Sequence, residues 1–240
     1  MPRGARWECA GEYVHVMNRR VDRQRLFAAS SEYEGFASLL AWAQCEIGME
    51  ITAWTLMPNH WHLIVRPRSV QHLSQFMHRV ESVHAMAVRR DSVTRGSGCV
   101  YGSRFKGFVI PHERVLRGVV YVERNPVKAG LVGEAFLWTH GSAASIGDGI
   151  RTPRVTRLPW ELERHRARLL REPLPEEFEA DFQHACRGGF MSSSARMQRV
   201  VESAAGVVRK LDAARNRVRH GRGSWMAPFR GGTPVRGSDT

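Results

Sequence analysis

Residues Met57-Pro58-Asn59-His60-Trp61-His62-Leu63-Ile64-Val65 decide how the chain reads. Pro58-Asn59 is turn chemistry. From His60 onward, imidazole and bulky apolar side chains alternate, the period of a strand half-covered on each face. His60 and His62 therefore share one face, about 7 Å apart along the strand by its rise per residue. Trp61, Leu63 and Val65 occupy the other face, which is expected to meet a core. Two imidazoles aimed the same way can converge on one divalent ion. A bare His-x-His is more often a pair of ordinary surface or core histidines, so the neighbouring segments carry the weight.

Outward from this strand, residues 51–56 read as its hairpin partner and 12–19 as another strand. Residues 31–48 read as a helix, with Phe36, Leu39, Leu40 and Ala43 at helical spacing and Gly48 as the stop. A long helix is expected over 70–90, with Leu73, Phe76, Met77, Val80 and Val83 on one face. A strand over 99–110 and a helix over 113–125 complete the order β-α-β-β-α-β-α. That order predicts an α+β fold, a ferredoxin-like βαββαβ antiparallel sheet with an added helix.

Tyr121 and Asn125 lie on that last helix, one turn apart and so on a common face. An amide oxygen is a competent ligand for a hard divalent cation. A phenol is a poor nucleophile while protonated, and a polarised phosphate makes it useful. Singly, a tyrosine on an apolar helix belongs to a core and an asparagine before proline to a turn. Together with the histidine pair they form a set.

Composition sets the partner class. Lysine and arginine number 36 against 23 acidic residues, a formal charge of +13 over 240 residues. Such a surface suits a polyanion. Only Lys106, Lys128 and Lys210 are lysines, and arginine is the better bidentate phosphate ligand, although a GC-rich genome alone also favours it. No apolar run of about 18 residues suggests a membrane span, and the first residues do not resemble a secretory leader. Cys9, Cys45, Cys99 and Cys186 are scattered without a Cys-x-x-Cys pair, which argues against a zinc site or a disulfide framework. A reducing cytoplasm is the expected compartment.

Four stretches in this order resemble the IS200-like transposases, most closely the REP-associated tyrosine transposases: His15-Val16-Met17-Asn18-Arg19 with Asp22-Arg23-Gln24; Leu56 to Leu63; Tyr101-Gly102-Ser103-Arg104-Phe105-Lys106; and Tyr121 to Val132. They cover roughly residues 12–142. The resemblance implies a histidine–apolar–histidine nuclease that cuts single-stranded DNA, with Tyr121 as nucleophile and His60, His62 and Asn125 as ligands of Mg²⁺ or Mn²⁺. Imidazole suits Mn²⁺ better. It implies a 5′-phosphotyrosine intermediate, strand transfer, and hairpin-forming repetitive palindromes as targets. Arg19, Arg104, Lys106 and Arg124 are expected to hold DNA phosphates. A monomer is expected, with a dimer as the alternative. Val14, Gly102-Ser103 and Thr139-His140-Gly141-Ser142 depart from the family's usual residues at positions that concern packing or DNA sequence.

The expected organisation is a nuclease domain over 1–145, a linker with short helices over 146–190, a basic amphipathic helix over 191–220 and a disordered tail over 221–240. The competing function is a domesticated, non-catalytic hairpin-binding protein. A replication initiator or relaxase shares the histidine pair but carries other flanking motifs. An RNA-binding ferredoxin-like domain would need stacking aromatics that are not found.

Overall fold

The computed structural model describes residues 9–91, 99–144 and 152–187. The expected helix over 191–220 and the tail beyond it lie outside these residues. Strands β1 (Val14–Arg19), β2 (Glu50–Met57), β3 (His60–Arg66) and β4 (Lys106–Val109) form one antiparallel sheet of order β2-β3-β1-β4. Helices α1 (Ser30–Ile47), α2 (Val70–Asp91) and α3 (Val115–Lys128) follow β1, β3 and β4. The fold is therefore α+β and ferredoxin-like over this part of the chain, in the expected element order.

Pairing register assigns the two sheet faces. Trp61 stands opposite Leu56 and Asn18, and Leu63 opposite Trp54 and Val16. This face packs under α1 and α2 with Phe36, Leu40, Phe76 and Met77, all buried. The other face presents His15, Met17 and Arg19 from β1, His60, His62 and Ile64 from β3, and Lys106 and Phe108 from β4. It is covered as well. Tyr13, Ile64, Phe108, Val119, Val120 and Phe182 form a second apolar cluster there. The histidines thus sit at the edge of a core rather than on an open surface. Among the described residues, no helix is long and apolar enough to cross a membrane.

Local chemistry fixes the element ends. Pro58-Asn59 closes the β2–β3 hairpin, with Met57 opposite His60. Gly48 ends α1 at φ +72°, where a side chain would be strained, and its N–H donates to the Gln44 carbonyl at 2.8 Å. Gly107 runs against β1, where an added Cβ would stand 3.0 Å from the His15 carbonyl oxygen.

Three expectations change. The strand expected over 99–110 shrinks to Lys106–Val109, with an isolated bridge between Tyr101 and Arg20. Asn18 Nδ2 donates to the Ser103 carbonyl at 3.0 Å, taking an acceptor that a continuous ladder would use. Helix α3 continues past Asn125 to Lys128 with Pro126 inside it, so Asn125 is held within a helical turn. Residues 152–187, expected as a linker with short helices, form the short helices α4 (Trp160–Leu169) and α5 (Glu176–Cys186), and the change is that these dock on α3 and β4.

The docking of α4 is ionic. Glu123 on α3 is 2% exposed. It receives Arg166 Nε at 2.9 Å, a second bond from Arg166 Nη2, and Ser142 Oγ at 2.6 Å. Arg166 also bonds Glu163 at 2.9 Å. Removing one partner of such a pair leaves a buried charge. Arg166→Met is expected to cost about 3–5 kcal/mol in urea denaturation. Glu123→Leu/Arg166→Met together should recover most of that loss.

Candidate active site

Cross-strand register, more than sequence proximity, assembles the site. Arg19 pairs with His60, and Met17 pairs with both His62 and Lys106. One face of the sheet therefore carries three imidazoles, His15, His60 and His62, with the cations Arg19 and Lys106 beside them. Helix α3 lies across this face and brings Tyr121 and Asn125, and α5 closes the side with Phe182 and Cys186. The result is a cavity of about 760 Å³ whose lining includes Arg19, His60, His62, Lys106, Tyr121 and Asn125.

The imidazoles are closer than strand rise suggests. Their ring centroids are 4.8 Å apart with planes at 81°, because the rings lean toward each other while the strand spacing applies to their backbones. Asn125 Nδ2 lies 3.4 Å from His62 Nε2. The Tyr121 ring stands edge-on to His62 at 6.4 Å between centroids. Asn59 Oδ1 meets His60 Nδ1 at 2.5 Å. His15, a diagonal cross-strand neighbour, meets His62 Nδ1 through its own Nε2 at 2.9 Å.

Burial sets the charge states. Desolvation first, then the neighbouring positive groups, lowers the pKa of His60 and of His15 to about 3, and holds His62 well below the ordinary imidazole value. Both His60 and His62 are neutral at pH 7 and retain a lone pair for a cation. Tyr121 is 6% exposed. Its ring packs on Phe182 at 4.2 Å, and the Lys128 ammonium lies 5.6 Å from the ring centre. Desolvation raises the phenol pKa, with Cys186 and Glu179 adding to the rise, while the hydrogen bond to Asn125 and the Arg187 charge pull it down. The Arg19 Nε is buried with no hydrogen-bond partner among the described residues.

Six of the eight residues singled out by sequence line the cavity. Arg104 and Arg124 do not. Arg104 is exposed outside it, and Arg124 donates through Nη1 to the Leu170 carbonyl at 2.6 Å, at the end of α4. Sequence reasoning missed Cys186 as a site residue and placed His15 only within a motif. A histidine with an apolar β-branched neighbour in a predicted strand was a signal for His15, and Cys186 offered none.

Residues 9–125 match the family model for IS200-like transposases. Over that stretch, which is just under half of the chain, the sequence is similar to this family. The family assigns this IS200-like domain a transposase-type role, and the match runs through β1, β3 and the part of α3 that carries Tyr121 and Asn125. No curated protein matches the sequence. Among solved structures, a REP-associated tyrosine transposase bound to a REP hairpin is similar at 20% identity and TM-score 0.49, covering 65% of this chain and 99% of that one. A candidate transposase from Deinococcus radiodurans R1 is similar at 16% identity and TM-score 0.35, covering 52% and 95%.

The buried histidines of this site and its surroundings make the protein's stability pH-dependent. His15, His60, His62 and His84 all have folded pKa values below that of a free imidazole, His84 at about 4. The unfolded chain takes up protons below about pH 6.5 that the folded chain refuses, so stability falls as pH falls through that value. Glu81, raised to about 7 by burial, opposes this with one proton against four. The urea midpoint is expected to drop between about pH 6.5 and 4, as followed by tryptophan fluorescence.

Proposed function

We propose that this protein cleaves and rejoins single-stranded DNA by tyrosine transesterification. The observation that carries the reading is the meeting of Tyr121 and Asn125, one turn apart on α3, with His60 and His62 in one cation-flanked cavity. Four residues that sequence spacing placed in two separate pairs share a single space.

The donor set fits a divalent ion. The Nδ1 atoms of His60 and His62 are engaged by Asn59 and His15, which leaves both Nε2 atoms for coordination, and Asn125 brings an amide next to His62. His60, His62 and Asn125 would hold Mg²⁺ or Mn²⁺. The two imidazole ligands favour Mn²⁺, since Mg²⁺ prefers oxygen. When bound, the ion supplies positive charge for the phosphate under attack.

The chain's own groups do the rest. Arg19 and Lys106 bind the DNA phosphates and fix the strand across the sheet face. Tyr121 Oη forms a bond to phosphorus while the bond from phosphorus to the 3′ oxygen breaks. The phenol proton ends on that 3′ hydroxyl, directly or through water. The product is a 5′-phosphotyrosine that conserves the phosphodiester bond energy, and a 3′ hydroxyl can later reverse the exchange without ATP.

Hairpin-forming repetitive palindromes are the proposed targets, on the resemblance of residues 12–142 to the REP-associated group. A folded stem with a single-stranded foot offers both a phosphate track and unstacked bases. Arg104, exposed and two residues from Lys106 in sequence, remains a candidate for the stem. The working unit is a monomer acting in the cytoplasm. The burial of Tyr121 beneath Phe182 favours a second reading, a hairpin-binding protein that no longer cuts.

A covalent-adduct gel separates these readings. Full-length protein is mixed with labelled single-stranded hairpins from the flanks of its gene, with Mn²⁺ or Mg²⁺. The expected result is a metal-dependent, denaturant-stable adduct that Tyr121→Phe abolishes. Binding without an adduct on any flank supports the second reading. Adduct formation that survives Tyr121→Phe refutes Tyr121 as nucleophile.

A further inference from the structure

The side chains behind His62 form a chain of contacts that the proposed reaction does not use directly. His62 Nδ1 meets His15 Nε2 at 2.9 Å, and His15 Nδ1 meets Cys186 Sγ at 3.9 Å. His15 is fully buried and His62 is 3% exposed. Phe108 and Phe182 pack on the His15 ring at 4.9 and 5.0 Å, so apolar rings enclose it between its two polar contacts. Cys186 ends α5, beyond the residues that match the transposase family model.

We propose that Cys186 and His15 form a hydrogen-bond relay that fixes His62 as its Nδ1–H tautomer and keeps its Nε2 lone pair facing the cavity. This rests on the reading of His62 as a metal ligand. A neutral imidazole carries one N–H. If that proton sits on His62 Nδ1, it donates to His15 Nε2, which must then be the bare nitrogen of its ring. The His15 proton therefore sits on Nδ1 and points at the sulfur, which accepts it. If instead the thiol donated to His15, every proton would move one place and His62 Nε2 would carry a hydrogen, closed to a cation. The approach of Asn125 Nδ2, a donor, to His62 Nε2 at 3.4 Å fits the first order.

His60 is set the same way by a separate partner. Asn59 Oδ1 accepts from its Nδ1–H at 2.5 Å. Each proposed ligand thus has its far nitrogen committed and its near nitrogen bare, the arrangement that orients metal-binding histidines and raises their basicity. His15 is a positioning residue, and α5 takes part in the proposed site through the Cys186 sulfur as well as through the Phe182 ring.

The test is long-range ¹H–¹⁵N correlation on the imidazoles of the metal-free full chain, together with a Mn²⁺ titration. Wild-type His62 is expected as the Nδ1–H tautomer. His15→Phe keeps a ring but removes the acceptor. It is expected to convert His62 partly to the Nε2–H form and to weaken Mn²⁺ binding about 10–100-fold. His15→Gln restores an acceptor near the Nε2 position and should recover most of that affinity. Cys186→Val interrupts the relay at its far end and should shift both readouts in the same direction by less, which keeps the test available if His15→Phe does not fold. Wild-type His62 found as Nε2–H, or unchanged tautomer and Mn²⁺ affinity in the variants, overturns the relay. A wild type that shows the Nδ1–H tautomer but binds no Mn²⁺ upholds the relay and overturns the metal-ligand reading instead.

Discussion

Everything in this site depends on the alternation of strand β3 in the middle of the sheet. Trp61, Leu63 and Val65 are fully buried under α1 and α2. That apolar face cannot slip by one residue without sending Trp61 to the cavity and the histidines into hydrocarbon. The core thus holds the two imidazoles in register. β1 pairs on one side and β2 on the other, so the constraint on one strand is passed to three. Arg19, Lys106, His15 and His62 owe their common face to it.

The opposite face has a different problem. Two neutral imidazoles, a phenol and an amide must stay near one another without being lost in a dry core. Helix α3 meets this by presenting Val119, Val120 and Val122 for burial while Tyr121 and Asn125 reach the cavity. The buried Glu123–Arg166 pair then ties α3 to α4, and the aromatic packing of Phe182 ties α5 to both Tyr121 and His15. Residues beyond the nuclease motifs therefore build the site's back wall. The same packing that orients Tyr121 also shields it, since the Phe182 ring of α5 lies against the phenol.

How much of this was legible in the sequence depends on the range of the interaction. The histidine pair and the Tyr121–Asn125 pair are local patterns, spaced by two on a strand and by four on a helix, and both were readable. The element order came from the change of hydrophobic period along the chain. The His15–His62 contact was not readable, because it is a diagonal pairing that requires the register of β1 against β3. Cys186 lies 171 residues from His15, and no local signal links them. Arg124 was chosen for its closeness to Tyr121 in sequence, but the carbonyl of Leu170 at the end of α4 holds it. The strand expected over 99–110 shortened for a similar reason, since Asn18, a distant residue, takes the Ser103 carbonyl.

The β3 imidazoles are proposed as cation ligands rather than buried structural histidines. Pulsed electron paramagnetic resonance on Mn²⁺ bound to the ¹⁵N-histidine-labelled full chain tests it most directly. Coupling of the manganese to two imidazole nitrogens, falling to one in His60→Ala, is the predicted result. Bound manganese with no nitrogen coupling, or coupling that His60→Ala and His62→Ala both leave intact, would contradict the account.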